Sequence, residues 1–428
     1  MRYFRLLVLG NGISAYGSYL NMVALNVFVY DATGSALAAG LFMAVRLATS
    51  VVSGWVSGRL VSVHDRKRLM VGADLCQAVA LLSLLLAPEG TRPGLLYVLA
   101  VVTGGCSTLS QVALRSSIPE IVGAEHRVRA NGLLVTGRSL AMIAGFASSG
   151  VVVAQLGYSA AFALDASTFL VSATVLSLLP VRTRAAGDTA DGGSGPAKGS
   201  GSARDSGTAR RTARILLGTA PLLMAMIAIR AVDGLGSSSH NVALPIYSSG
   251  LDPDHPATFI SQFWATWAIG NIVAQQVIGR VTKKTGRTPG ERAFALGACV
   301  MSAGFIVVFC GLPTVPAVIA ALVAGAADGF TEIVYVSRLQ TAPDDQRGRL
   351  FGLSASAENA GFGLGMLVSG ALLETFSPLT VVAAFHGLAI ALCAALLLWL
   401  VGRGRTTPAP PAEQPAGRDR PTMTEDRG

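Results

Sequence analysis

Charge is what this sequence has least of. Only 13% of its 428 residues are Asp, Glu, Lys or Arg, against roughly 25% in an ordinary soluble domain. That is too little to coat a water-facing surface. Lysine is nearly absent, four of 33 basic residues, which beside abundant Ala and Gly reads as a GC-rich genome rather than a binding signature. The five cysteines, at 76, 106, 299, 310 and 393, are odd in number and have no metal or redox spacing. They exclude a disulfide framework and read as small buried side chains. Five histidines, at 64, 126, 240, 255 and 386, are scattered, mostly in loops, with no ligand or triad arrangement. No Gly-Lys-Ser/Thr loop is present to cradle phosphates, so ATP is not the energy source. No cofactor or metal is called for.

What is there in quantity is apolar. Hydrophobic residues make up 51% of the chain and the mean hydropathy is +0.55, which excludes disordered and fibrous classes. A membrane span needs about 20 mostly apolar residues. Twelve windows qualify: 4–31, 35–61, 69–87, 94–118, 128–155, 158–180, 215–247, 257–280, 291–312, 314–338, 349–375 and 378–401. Pro88, Pro93, Pro119, Pro180, Pro313, Pro316, Pro343 and Pro378 fall at or near their ends, where the ring and its restriction on the preceding residue are tolerated. The first window is too long for a signal peptide and leads straight into the next span.

The net charge of +9 would suggest nucleic acid in a soluble protein. Its placement says otherwise. With the N-terminus in the cytoplasm and twelve alternating spans, 29 of the 33 Lys and Arg fall in cytoplasmic segments and one, Arg92, falls outside. By the positive-inside rule both termini are cytoplasmic, in a bacterial inner (plasma) membrane. No nucleic-acid partner is expected. Tyr30, Tyr97, Tyr158 and Tyr247 all lie at external span ends, as an aromatic belt would.

Residues 182–214 are Gly, Ser and Ala with scattered charge and read as a flexible cytoplasmic linker. It separates an N-terminal half, 1–181, from a C-terminal half, 215–402; the polar, Pro-rich tail 403–428 reads as disordered. The halves echo each other. The basic loop from Gly58 answers that from Gly279, and Asn131-Gly132-Leu133 answers Phe351-Gly352-Leu353. Parallel six-span repeats of this kind mark one transporter architecture.

Several blocks go further. They are Tyr30-Asp31-Ala32-Thr33-Gly34-Ser35, Asp74-Leu75, Ile118-Pro119-Glu120-Ile121-Val122 with Arg129-Ala130-Asn131-Gly132-Leu133, and Phe162-Ala163-Leu164-Asp165-Ala166. In the second half, Leu339-Gln340-Thr341-Ala342-Pro343-Asp344 precedes Arg347-Gly348-Arg349-Leu350. On these residues the chain resembles the major facilitator superfamily, and within it the bacterial drug and siderophore exporters that include macrolide efflux proteins. The resemblance implies an all-α membrane protein with 12 transmembrane helices in two six-helix halves. It also implies a central cavity lined by spans 1, 4, 7 and 10 and flanked by 2, 5, 8 and 11. In the gating loop after span 2, Gly58, Leu60, Arg66 and Lys67 fit the family motif. Ser62 and Val63 stand where it has Asp and Arg, and Asp65 is near enough to substitute. Gly145–Gly150 keeps the end glycines of the antiporter motif in span 5 but lacks its proline.

Ionisable groups inside spans are functional by default. Arg46, Arg138 and Arg230 lie about 15 to 22 Å into spans 2, 5 and 7 at 1.5 Å per residue. Asn11, Tyr16, Asn21 and Asn26 make span 1 polar. We read Arg46, Arg138, Arg230, Tyr16, Asn21 and Asn26 as substrate-cavity candidates. Arg230 and Asp233 share a helical face and are either a structural pair or part of the mechanism. Asp328 and Glu332, four apart on span 10, also share a face. Two like charges in a poorly hydrated cavity resist ionising together, so such a pair can load and release a proton; alternatively one pairs with Arg338 or a cavity arginine. Asp328, Glu332, Asp233 and Glu358 are the proton-coupling candidates. Asp74 and Asp165, on outer spans, read as structural. The reading is a monomeric secondary transporter exporting a small amphipathic compound by proton antiport. The alternative is a proton-coupled importer or lipid translocator of the same fold.

Overall fold

The computed structural model describes residues 2–122, 127–179, 221–286, 289–342 and 344–406. The proposed linker 182–214 lies outside the described residues, as does the tail beyond 406. Helices occupy all twelve expected windows, because a chain in hydrocarbon must satisfy its backbone groups within each segment. In order they are α1 (Arg2–Thr33), α2 (Ala36–Val63), α3 (Arg66–Leu86) and α4 (Arg92–Val122). The run Arg127–Leu178 is broken at Gly157, whose φ of 78° and ψ of 174° are not helical. A side chain is strained at that φ. We number its arms α5 (127–156) and α6 (158–178). The second half comprises α7 (Pro221–Leu251), α8 (Pro256–Thr285), α9 (Glu291–Val308), α10 (Thr314–Gln340), α11 (Asp344–Leu373) and α12 (Pro378–Thr406).

Local chemistry sets the ends. Ser35 caps α2 by accepting the Ala38 N–H, and Asp65 caps α3 by accepting those of Lys67 and Arg68. Pro256 opens α8 and left-handed Gly286 closes it. Eight helical runs, with α5 and α6 counted together, are long and apolar enough to cross a bilayer on composition alone. The runs that fall short are α1, α8 and α11, which carry Asn11 and Asn21, Asn271 and Gln275, and Glu358 and Asn359.

The packing repeats between the halves. Helix α1 lies on the α5–α6 run as α7 lies on α11 and α12, α2 pairs with α4 as α8 pairs with α10, and α3 contacts α4 as α9 contacts α10. The halves meet through two equivalent seams, α2 with α11 and α5 with α8. Both depend on glycine. A Cβ at Gly40 would overlap the Met366 carbonyl, and one at Gly150 would overlap Ser261.

The cores show which way the bundle is closed. One large apolar cluster runs across both halves, from Leu20, Phe42 and Phe146 to Trp264, Phe305 and Met366. Two smaller ones stay within a half and lie next to the basic loops: Phe4, Val61, Met70 and Ile118 in the first, Met226, Phe294, Val334 and Leu396 in the second. The halves are fused away from the basic loops and separate towards them. A Cβ at Gly58, on the basic face, would meet nothing within 4 Å.

Candidate functional site

The site is centred on Arg230, about a third of the way along α7 (Pro221–Leu251). Its Nη1 donates to Asp233 Oδ2 at 2.9 Å and lies 3.9 Å from Asp328 Oδ1; its Nη2 donates to Glu332 Oε2 at 2.7 Å and lies 3.9 Å from Glu358 Oε2. One guanidinium therefore faces four carboxylates drawn from α7, α10 and α11. The Tyr335 ring lies 5.5 Å from its carbon, a cation–π contact. All four proton-coupling candidates are brought to this one cation.

Two hydrogen-bonded chains feed the cluster. On α8, Gln275 Nε2 donates to Asn271 Oδ1 at 2.7 Å, and Asn271 Nδ2 donates to Asp328 Oδ2 at 3.1 Å. On the other side Ser354 Oγ donates to Glu358 Oε1 at 2.6 Å and sits 2.6 Å from the Tyr335 hydroxyl. Asn271, Gln275, Ser354 and Tyr335 escaped the sequence reading. The four-residue spacing of Asn271 and Gln275, which puts both amides on one face of α8, was the available signal.

Exposure ranks the acids. The side chain of Asp233 is 7% exposed, Asp328 22%, Glu358 32% and Glu332 42%. Asp233 is thus the sealed counterion, its Oδ1 buried without a partner, while Glu332 is the most exposed of the four. Arg338 does not join the cluster as one sequence alternative had it; it pairs with Glu291 near the basic face.

The first half is built differently. Arg138 donates from Nε to the Tyr19 hydroxyl at 2.9 Å and from Nη1 to Gln111 Oε1 at 3.0 Å. Asn21 Nδ2 donates to Asp165 Oδ2 at 2.8 Å. Asn21, Arg46, Arg138, Asp74 and Asp165 line one cavity of about 190 Å³ inside the six-helix half. Tyr16 and Asn26 do not line it. Tyr16 bonds Ser148 across α1 and α5 at 3.0 Å, and Asn26 is buried within the bundle. In the gating loop, Arg66 donates to the Ser116 carbonyl and Lys67 to those of Ser177 and Leu179, all within the same half.

His240 and His386, both inside expected spans, are brought together by the fold. They are stacked within the bundle, ring centroids 5.5 Å apart and Nδ1 of one 3.2 Å from Nε2 of the other, against Phe305. Helix α7 carries His240 and α12 carries His386, so only the tertiary fold unites them. One expectation needs correction: of the five cysteines read as small buried side chains only Cys393 is buried, while Cys76 and Cys310 are exposed and Cys106 and Cys299 are half-buried. Among the described residues no group of three His, Cys, Asp or Glu is arranged to hold a metal ion.

Known proteins share this architecture. The profile of the Major Facilitator Superfamily matches residues 7–342. An MFS-type transporter of Bacillus subtilis strain 168, YfiS, is 25% identical over 382 residues, 85% of this chain and 84% of its own. The multidrug efflux pump Tap of Mycolicibacterium fortuitum is 24% identical over 391 residues, 89% of this chain and 90% of its own. Among solved structures, the nucleoside transporter NupG superposes with a TM-score of 0.70 at 15% identity, covering 94% of this chain and 99% of NupG. An auto-inhibited POT family peptide transporter does so at 0.69 and 12% identity, over 97% and 99%.

Proposed function

We propose a direction, a cargo class and an energy source for a chain that belongs to the major facilitator superfamily, and is therefore a membrane transporter rather than an enzyme. It exports a small amphipathic compound, a drug or secondary metabolite, in exchange for protons. The observation that carries this is Arg230 among four carboxylates. With all four ionised, the cluster would hold three uncompensated negative charges in a low-dielectric interior. Neighbouring carboxylates share protons to escape that repulsion. A cluster of this kind changes its proton count when one acid is bared to water, and Glu332 is the most exposed of the four. Rocking about the α2–α11 and α5–α8 seams would expose it alternately to either side. An inward proton crossing a 100 mV potential supplies about 2.3 kcal/mol, enough for several-fold to tens-fold accumulation.

Tap lends support to export. The same geometry run backwards is an importer, and accumulation separates the two. Cells expressing the protein should hold several-fold less of some members of a panel of amphipathic antibiotics and dyes, and an uncoupler should abolish the difference. Higher accumulation with the gene present would make it an importer.

The orientation rests on the positive-inside count. A reporter active only outside the cell should be silent when fused after Arg210 and active after Asp254. The reverse pattern would overturn the assignment of the basic face to the cytoplasm.

The face opposite the basic loops is held by a latch. Glu374, just beyond α11, accepts the Ser35 hydroxyl at 2.7 Å and the Leu37 N–H at 2.9 Å, at the start of α2 in the other half. The Leu37 amide, and then the Ser35 hydroxyl, hold the Glu374 carboxyl below its usual range. The contact is therefore formed at neutral pH and is lost only as pH falls through that depressed value. Glu374→Gln should raise the population open on this face several-fold, read as a longer distance between spin labels at Thr33 and Ser377 in a cysteine-free background. An unchanged distance distribution would show that the latch does not hold the gate.

A further inference from the structure

The cavity inside the first half is not explained by proton coupling. Its volume, about 190 Å³, far exceeds the one or two waters that a small polar gap holds. Its acids are met. Asp165 accepts hydrogen bonds from Asn21 and Thr168, and Asp74 lies beside the Ser172 hydroxyl. Its cation is not. Among the described residues the Arg46 guanidinium makes no hydrogen bond and no ion pair within 4 Å; the acid that acts on it through space is Asp165, itself already hydrogen-bonded. Asn21 also lines this space; its Nδ2 donates to Asp165, while its Oδ1 is buried with no partner and shielded from the cavity. Arg138 stands at the same cavity with Nε and Nη1 occupied by Tyr19 and Gln111. The remaining wall is apolar, including Met22, Leu25 and Phe169. A guanidinium inside a bilayer with no protein partner is expensive, and a small oxyanion matches its fork of donors best.

We propose that this cavity is the cargo's recognition site and that it takes an amphipathic carboxylate. The carboxylate seats on Arg46, and the apolar body lies along Met22, Leu25 and Phe169. This rests on the exporter reading and narrows its cargo. It also divides the labour between the halves: cargo charge is read in the first and protons are carried in the second.

The test uses the full-length protein in phosphatidylcholine nanodiscs, which contain no anionic lipid to compete. The probes are three compounds with one apolar body small enough for the cavity, 4-phenylbutyrate, uncharged 4-phenylbutanol and cationic 4-phenylbutylamine, with binding read by calorimetry. At neutral pH the butyrate should bind at least ten-fold more tightly than the other two. Arg46→Gln should erase the preference, and Arg46→Lys should keep part of it. Asn21→Asp, which adds a carboxylate beside the site, should erase it too and serves if Arg46→Gln does not fold. Equal binding of the three probes, no binding of the butyrate, or a preference surviving either substitution would overturn the proposal. Efflux of the butyrate and of a panel of amphipathic dyes driven by a pH gradient, measured with the same protein in liposomes against protein-free liposomes, separates the two readings. Persistent efflux without an anion preference defeats this site alone, and absence of any gradient-driven efflux defeats the exporter reading.

Discussion

Glu332→Gln together with Asp328→Asn is expected to abolish uphill transport while leaving the protein abundant and able to equilibrate its cargo. In proteoliposomes with an imposed pH gradient, the concentration ratio reached by wild type should exceed one several-fold or more. The double variant should reach a ratio of one. The reason is geometric: these are the two acids on α10 that face the cation, and Glu332 is the most exposed of the four. Each change removes a charge but keeps the shape and hydrogen-bonding capacity, so Asn271 and Arg230 retain partners. Uphill transport surviving in the double variant would transfer the proton role to Glu358 or Asp233.

Losing Arg230 should be the most damaging single change to folding. Arg230→Gln leaves four carboxylates around no cation, and stranding one partner of a buried ion pair costs on the order of 3–5 kcal/mol. That is a large share of the roughly 5–15 kcal/mol that holds a domain together. The abundance of folded protein in the membrane, read by size-exclusion of a fluorescent fusion, should fall steeply. Adding Asp233→Asn should restore much of it, since Asp233 is the sealed partner whose Oδ1 already lacks a hydrogen bond. The rescued protein should still fail to transport, because Arg230 also holds Glu332 in place. Abundance indifferent to Arg230 would mean the cluster is hydrated enough to dispense with it. A rescued, active double variant would make the pair purely structural.

The bundle was legible in the sequence for a physical reason. Burial in hydrocarbon leaves long apolar windows, and the helices begin and end within a few residues of them, at Ser35, Asp65, Pro256 and Pro378. Pairs on one helix were legible too. The i, i+3 spacing of Arg230 and Asp233 put them on one face, and the structure joins them. What spacing could not supply was how faces on different helices meet. The cation answering Asp328 and Glu332 lies about a hundred residues earlier on α7, and His240 meets His386 across 146 positions. Likewise Arg46, read as facing the central cavity, opens into the interior of its own half. The rotation of α2 against α4, where Gly104 packs on the Arg46 carbonyl, decides that.

In the proposed mechanism cargo and protons move in opposite directions through one molecule, with the acids around Arg230 carrying the protons. The most direct measurement follows protons rather than cargo. A compound that the protein expels from cells is placed on one side of proteoliposomes holding a pH-sensitive dye, with no initial pH gradient and the membrane potential clamped. Its downhill flow through wild type should drive protons the other way and create a pH difference. The Asp328→Asn, Glu332→Gln double variant should pass the compound and create none. Downhill flow through wild type without any pH change would contradict the account.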